Sequence, residues 1–199
     1  MLDKHCLFFC GLFSFALIAA PGNIHRKHIL NIEVLFRILL KNERRDNMID
    51  KRLEKQINYQ INRELYSAYL YLSMSSYLED KGLAGMANFM KVQAEEENFH
   101  AMKFFNYLVE RGGRVVLDAI EKPPVEFDSP QAVFTESLKH EKIVTDLINK
   151  LMDLAIEVND HAARSFLNWY VDEQVEAEDS FQSIIDKLRN AGANEIGVY

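Results

Sequence analysis

Four stretches of residues 48–199 carry apolar side chains at recurring spacings of three and four, and this repetition leaves few folds open. The spacing predicts helices over about 50–79, 83–111, 129–158 and 161–190. Their ends carry matching punctuation. Asp80-Lys81-Gly82 closes the first, and Gly112-Gly113 closes the second. Ser129-Pro130 opens the third as a cap followed by proline at the first helical position. Asn159-Asp160-His161 breaks the third from the fourth, with Asp160 as the cap, and Gly192 follows the last.

The connections set the topology. Helices one and two, and three and four, are joined by a few residues, so each pair packs antiparallel. The middle connection, "RVVLDAIEKPPVEFD", is long enough to run the length of a bundle, and Pro123-Pro124 bars a helix through it. The predicted class is all-α: an antiparallel four-helix bundle with one long crossover.

The inward stripes contain residues that a core should exclude. They read Ile57, Ile61, Glu64, Ala68, Tyr71, Ser75 on the first helix and Met86, Met90, Gln93, Glu97, His100, Phe104 on the second. The third gives Phe134, Leu138, Glu141, Thr145, Ile148, Met152, and the fourth Phe166, Trp169, Glu173, Glu176, Ser180, Ile184. Each helix thus places a carboxylate near its middle, and no Lys or Arg shares those stripes. Buried carboxylates without counter-charge are costly, because desolvation and mutual repulsion act together. A metal ion is the economical compensator. Glu97-x-x-His100 aims a carboxylate and an imidazole from one helix face, a donor set suited to iron or manganese, with zinc as competitor. Glu95 reads as a surface charge, His140 as a surface residue and His161 as a residue of a helix start.

Residues 1–47 differ in kind. They hold seven Lys/Arg against four Asp/Glu, while 48–199 hold 16 against 26. The run "CLFFCGLFSFALIAA" is short for a bilayer, which needs about 20 residues. Three readings stand in order: a misassigned start, with Met48 as the true one; a cleaved export signal; an ordered extension. The formal charge of −7 argues against nucleic acid as partner and suits cation attraction. Cys6 and Cys10 are the only cysteines, so 48–199 can form neither a disulfide nor a thiolate metal site.

The segments "NRELYSAYLYLSMSSYLED", "AEEENFHAMKF", "LKHEK" and "NWYVDEQVEAE" together resemble the bacterial non-haem ferritins, over essentially all of 48–199. The resemblance implies an iron-storage protein with ferroxidase activity, cytoplasmic and without haem. It would oxidise Fe²⁺ to Fe³⁺ with O₂ or H₂O₂ at an intrasubunit di-iron centre. It implies a homo-oligomeric hollow shell of twenty-four subunits, with no membrane partner for 48–199. Glu64, Glu97 and His100 would hold one iron; Glu97 would bridge to a second, held also by Glu141 with Gln174 nearby. Tyr71 would stand beside the centre as electron donor or hydrogen-bond partner. Glu96, Glu173 and Glu176 would surround a weak third iron.

Two departures follow. Ala177 stands where many bacterial relatives have glutamate, which weakens the third site and favours turnover over retention. The chain stops at "NEIGVY", where relatives continue into a short fifth helix, so either the sequence is a fragment or its shell lacks that helix. Bacterioferritins and rubrerythrin-like proteins carry Glu-x-x-His on two helices, whereas here the fourth has Glu173-x-x-Glu176. The rivals are a di-iron oxygenase acting on an organic substrate and a metal-buffering assembly protein without redox turnover.

Overall fold

The structure, a computed structural model, describes residues 48–192. The readings of 1–47, with Cys6, Cys10, His5, His25 and His28, and of the chain's end lie outside the described residues. Four helices follow in order: α1 Lys51–Asp80, α2 Ala84–Glu110, α3 Pro130–Glu157 and α4 His161–Gly192. Asp50 caps α1 by accepting from the Arg52 N–H at 2.7 Å. Ser129 caps α3 by accepting from the Ala132 N–H at 3.0 Å, with Pro130 at the first helical position. Asp160 accepts from the Ala163 N–H at 2.9 Å at the start of α4 and also binds Arg111 through both carboxylate oxygens, at 3.0 and 2.8 Å. That contact ties the end of α2 to the beginning of α4. The turns after α1 and α2 put Gly82 and Gly112 at φ +74° and +70°, where a side chain would be strained. α4 includes Gly192, which the sequence reading places just past the helix.

The helices form a four-helix bundle with one long crossover, as the sequence predicts. α1 packs on α2, α3 on α4, and α1 on α3. The crossover is held along α1 by side-chain bonds. Asn58 donates to the Arg114 carbonyl at 2.9 Å and accepts from the Val116 N–H at 2.6 Å. Asn62 donates to the Ala119 carbonyl at 3.0 Å, and Ser73 to the Pro124 carbonyl at 2.6 Å. Fifteen residues of helix separate Asn58 from Ser73, so the strap follows the bundle for about 22 Å. Its unpaired backbone thereby finds partners without a strand.

The core has two apolar ends. Leu53, Ile57, Leu108, Ile148 and Leu167 fill one, and Met74, Leu78, Met90, Phe134 and Phe181 fill the other. Between them the chain buries Glu64, Glu97, Glu141 and Gln174. The inward stripe of α4 differs from the predicted one. It reads Ala163, Leu167, Tyr170, Gln174, Phe181, Ile185, so α4 contributes an amide to the centre and not a carboxylate. The predicted line, Phe166, Trp169 and Glu173, lies one position away, at the seam with α2. That seam is filled by large rings: Tyr107 stacks on Phe166 at 3.9 Å and Phe104 on Tyr170 at 4.1 Å. Two neighbouring faces of α4 are therefore apolar, and spacing alone selects the wrong one.

Candidate metal centre

Glu64 lies mid-way along α1 and Glu97 and His100 one turn apart on α2, and antiparallel packing brings them to one depth. Their ligand atoms all lie within 4.8 Å of one another. Glu64 is 1 % exposed and Glu97 6 %. Among the described residues no Lys or Arg is buried with them. Gln60, also buried, donates its amide to Glu64 Oε1 at 2.8 Å. Glu64 Oε2 and Glu97 Oε2 are buried with no hydrogen-bond partner. His100 Nδ1 is 3.5 Å from Glu97 Oε2, near but not hydrogen-bonded to it.

The electrostatics follow from this crowding. Burial, and then the Glu97 charge, holds the Glu64 carboxyl well above the usual range. Burial, and then the Glu141 charge, does the same to Glu97. Two buried carboxylate oxygens without donors, beside an imidazole and with no buried Lys or Arg among the described residues, are a donor set able to hold a cation. These carboxyls hold their protons more tightly than a free glutamate does, and a bound dication would displace them.

Glu141, on α3, completes the layer at 1 % exposed. Tyr71 donates its hydroxyl to Glu141 Oε1. Gln174 donates its amide to Glu141 Oε2 at 3.1 Å and to Thr145 Oγ1 at 3.2 Å. Burial raises the Glu141 carboxyl, while the Tyr71 and Gln174 bonds pull it down. Burial also pushes the Tyr71 phenol well up, so it keeps the proton it donates.

The remaining predicted residues lie outward. Glu173 Oε2 is 4.0 Å from His100 Nε2 and half-buried. Glu96 and Glu176 are exposed, and partial burial raises Glu96 while the His100 charge opposes it. Ala177 adds no oxygen to this rim. Glu95 and His161 are exposed. His140 is not the surface residue expected from its neighbours in sequence. It is half-buried against α1, bonded to Ser67 Oγ at 2.7 Å, and burial followed by the Arg63 charge lowers it to about 4. It is neutral at pH 7 and offers Glu141 no counter-charge. Gln60 went unread, although Gln60-x-x-x-Glu64 on the Ile57–Ile61 stripe was its signal.

Aromatic rings close the α2–α4 side. The Tyr170 hydroxyl donates to the His100 carbonyl at 2.8 Å, and the Trp169 ring meets the imidazole edge-on at 5.4 Å. Lys103 Nζ sits 3.1 Å over the Trp169 ring. No helix among the described residues is long and apolar enough to cross a membrane.

Residues 54–191 match the family described as the ferritin-like domain. The chain is 41 % identical over 145 residues to a bacterial non-heme ferritin of Staphylococcus epidermidis, covering 73 % of this chain and 87 % of that one. A bacterial non-heme ferritin of Bacteroides fragilis is also 41 % identical over 145 residues, covering 73 % and 91 %. Among solved structures, an open pore ferritin from Archaeoglobus fulgidus superposes with a TM-score of 0.73 at 50 % identity, covering 74 % of this chain and 91 % of that one.

Proposed function

This chain belongs to the ferritin family, and we propose that it oxidises Fe²⁺ to Fe³⁺ with O₂ or H₂O₂ and stores the ferric product. One observation carries the reading: Glu64, Glu97 and His100 converge in a buried pocket with two bare carboxylate oxygens and no internal counter-charge. Iron is the substrate and cargo. Glu64, Glu97 and His100 hold the first ion. Glu97 bridges to a second, which Glu141 also holds, with Gln174 nearby.

Each Fe²⁺ gives up one electron. Two ions reduce O₂ with two protons to H₂O₂, or H₂O₂ with two protons to two waters. The carboxylates favour the ferric ion, whose higher charge they stabilise more strongly. Tyr71 fixes Glu141 by its hydrogen bond and is a phenol placed to supply a further electron. Glu96, Glu173 and Glu176 offer a weak third position on the His100 side, poorer for Ala177. The excess of acid over base draws Fe²⁺ toward the protein, more weakly as salt rises. The unit that does this is the helical domain within residues 48–199, assembled as a hollow shell of twenty-four copies in the cytoplasm.

The test is Fe²⁺ addition in air, following ferric absorbance, oxygen uptake and particle mass together. The expected result is fast oxidation with iron retained in a high-mass shell. Fast oxidation in a small species that precipitates iron overturns the storage half. Slow oxidation, at the rate of buffer alone, overturns the ferroxidase half.

A further inference from the structure

Glu178 lies on α4 one turn beyond Gln174, on the wall of a groove of about 340 Å³ between α3 and α4. Thr145, Ile148, Val171 and Gln174 line the same groove. The Thr145 hydroxyl donates to Glu178 Oε1 at 2.6 Å. The Gln174 amide nitrogen reaches Thr145 Oγ1 at 3.2 Å, Glu141 Oε2 at 3.1 Å and the Glu141 carbonyl at 3.2 Å.

These bonds have a direction: the Glu141 carbonyl and carboxylate turn the Gln174 NH₂ end toward themselves, and Glu178 sets the Thr145 hydroxyl to match it. An ionised carboxylate only accepts. Thr145 has one hydroxyl proton and gives it to Glu178. Toward Gln174 it can then only accept, so it adds a third acceptor for the NH₂ end that Gln174 turns to Glu141. That orientation gives Glu141 Oε2 a donor, while Tyr71 supplies the donor for Oε1. A flipped amide would set its carbonyl oxygen against the Glu141 carboxylate.

We propose that Glu178 is a positioning residue of the centre, acting through Thr145 to fix the Gln174 amide and so to orient Glu141 for the second metal position. It touches neither substrate nor reacting atoms. The metal consequence rests on the di-iron reading above; the bond direction does not. Glu178 lines an open groove, so replacing it leaves the apolar core packing alone.

The substitutions separate direction from bulk. Glu178→Gln still offers Thr145 an acceptor. Glu178→Lys offers only donors, so the Thr145 proton is released from that side and competes with the Gln174 NH₂ for the Glu141 carbonyl one turn back on α3. Zn²⁺ titration of the full chain by calorimetry reads both positions without redox chemistry. The expected result is a second-ion affinity about tenfold weaker in Glu178→Lys, the value of one charge-assisted hydrogen bond. The first ion is expected to bind as in wild type, and Glu178→Gln to match wild type at both positions. Equal second-ion binding in wild type and Glu178→Lys overturns the proposal, as does equal loss in both variants.

Neutron density of the metal-free protein reads the direction itself. A deuteron on Thr145 pointing to Glu178 is expected, with the Gln174 ND₂ facing Thr145. A Thr145 deuteron pointing to Gln174 overturns the proposal whether or not iron ever binds. Failure of the wild type to take a second Zn²⁺, with the deuterons as expected, refutes the metal consequence and the di-iron reading while the bond direction stands.

Discussion

Glu64 and Glu141 are buried to the same degree, yet the chain treats them differently. Glu64 has one donor, Gln60, and its other oxygen faces Glu97 and His100 bare. Glu141 has a donor on each oxygen, from Tyr71 and Gln174. Burial is therefore not what marks the metal position. What sets the proposed first metal position apart is a missing donor, because an acceptor buried without a partner leaves a desolvation cost that a proton or a cation offsets. The α1–α2 half of the layer is poised for a cation before one arrives. The α3 half is already bonded within the protein and has spare lone pairs for a second ion.

The largest effect should come from the bare half. Replacing Glu97 and His100 together by alanine is expected to slow iron oxidation by more than about 100-fold, beyond what loss of a supporting residue costs. The fold should persist, since the change removes an unsatisfied buried acid; circular dichroism and particle mass check this. A surviving rate would break the contrast at its root. Gln60→Leu is milder. It removes the only donor to Glu64 and should weaken first-ion Zn²⁺ binding by about tenfold, with the second ion little affected.

The same half should govern pH dependence. Glu64 and Glu97 sit above their usual value in the folded protein, chiefly through burial. The unfolded chain ionises them near 4.5, as an ordinary glutamate does. Between that value and their raised folded values, the native state holds more protons than the unfolded one. The contribution of these two groups to the stability of the metal-free protein then falls as pH rises across that window, against the opposite contribution of His140, which the fold lowers to about 4. Thermal melting at pH 5.5 and 8 is expected to show the wild-type midpoint dropping relative to that of Glu97→Gln as pH rises. Zn²⁺ should shrink this drop, because it replaces the protons. Glu97→Gln, which cannot ionise, is the reference; no relative drop would place the pH dependence elsewhere.

Much of this layout was legible before any coordinates. Helix periodicity, Ser129-Pro130 and the paired glycines placed the elements, because these signals are local. Glu64, Glu97 and Glu141 stood out because carboxylates on apolar stripes have few explanations. What was not legible depended on contacts between helices. His140 neighbours an inward residue in sequence, and only the approach of Ser67 from α1 buries it. The α4 stripe was displaced by one position because the α2–α4 seam takes a second row of rings, Phe166 and Trp169, which look like core by composition. Gln60 was passed over because an amide carries no charge to make its burial conspicuous.

The smallest effect should come from the bonded half, and it sharpens the contrast most. Tyr71→Phe removes one of the two donors to Glu141 and keeps the ring, which stacks on Phe181 at 5.8 Å. Glu141 keeps Gln174. The loss to stability should be about 1 kcal/mol, that of a single buried hydrogen bond, measured by urea unfolding of the metal-free protein. First-ion Zn²⁺ affinity should stay at the wild-type value, because Tyr71 bonds to neither Glu64 nor His100. Oxidation should slow by a few-fold, about what the loss of one hydrogen bond of about 1 kcal/mol gives. Freeze-quenched paramagnetic resonance adds a separate reading: a tyrosyl signal present in wild type and absent in Tyr71→Phe assigns the phenol as an electron donor, and its absence from both restricts Tyr71 to holding Glu141. If first-ion affinity instead falls as far as in Gln60→Leu, Glu64 and Glu141 are one coupled unit, and the division between a bare half and a bonded half is wrong.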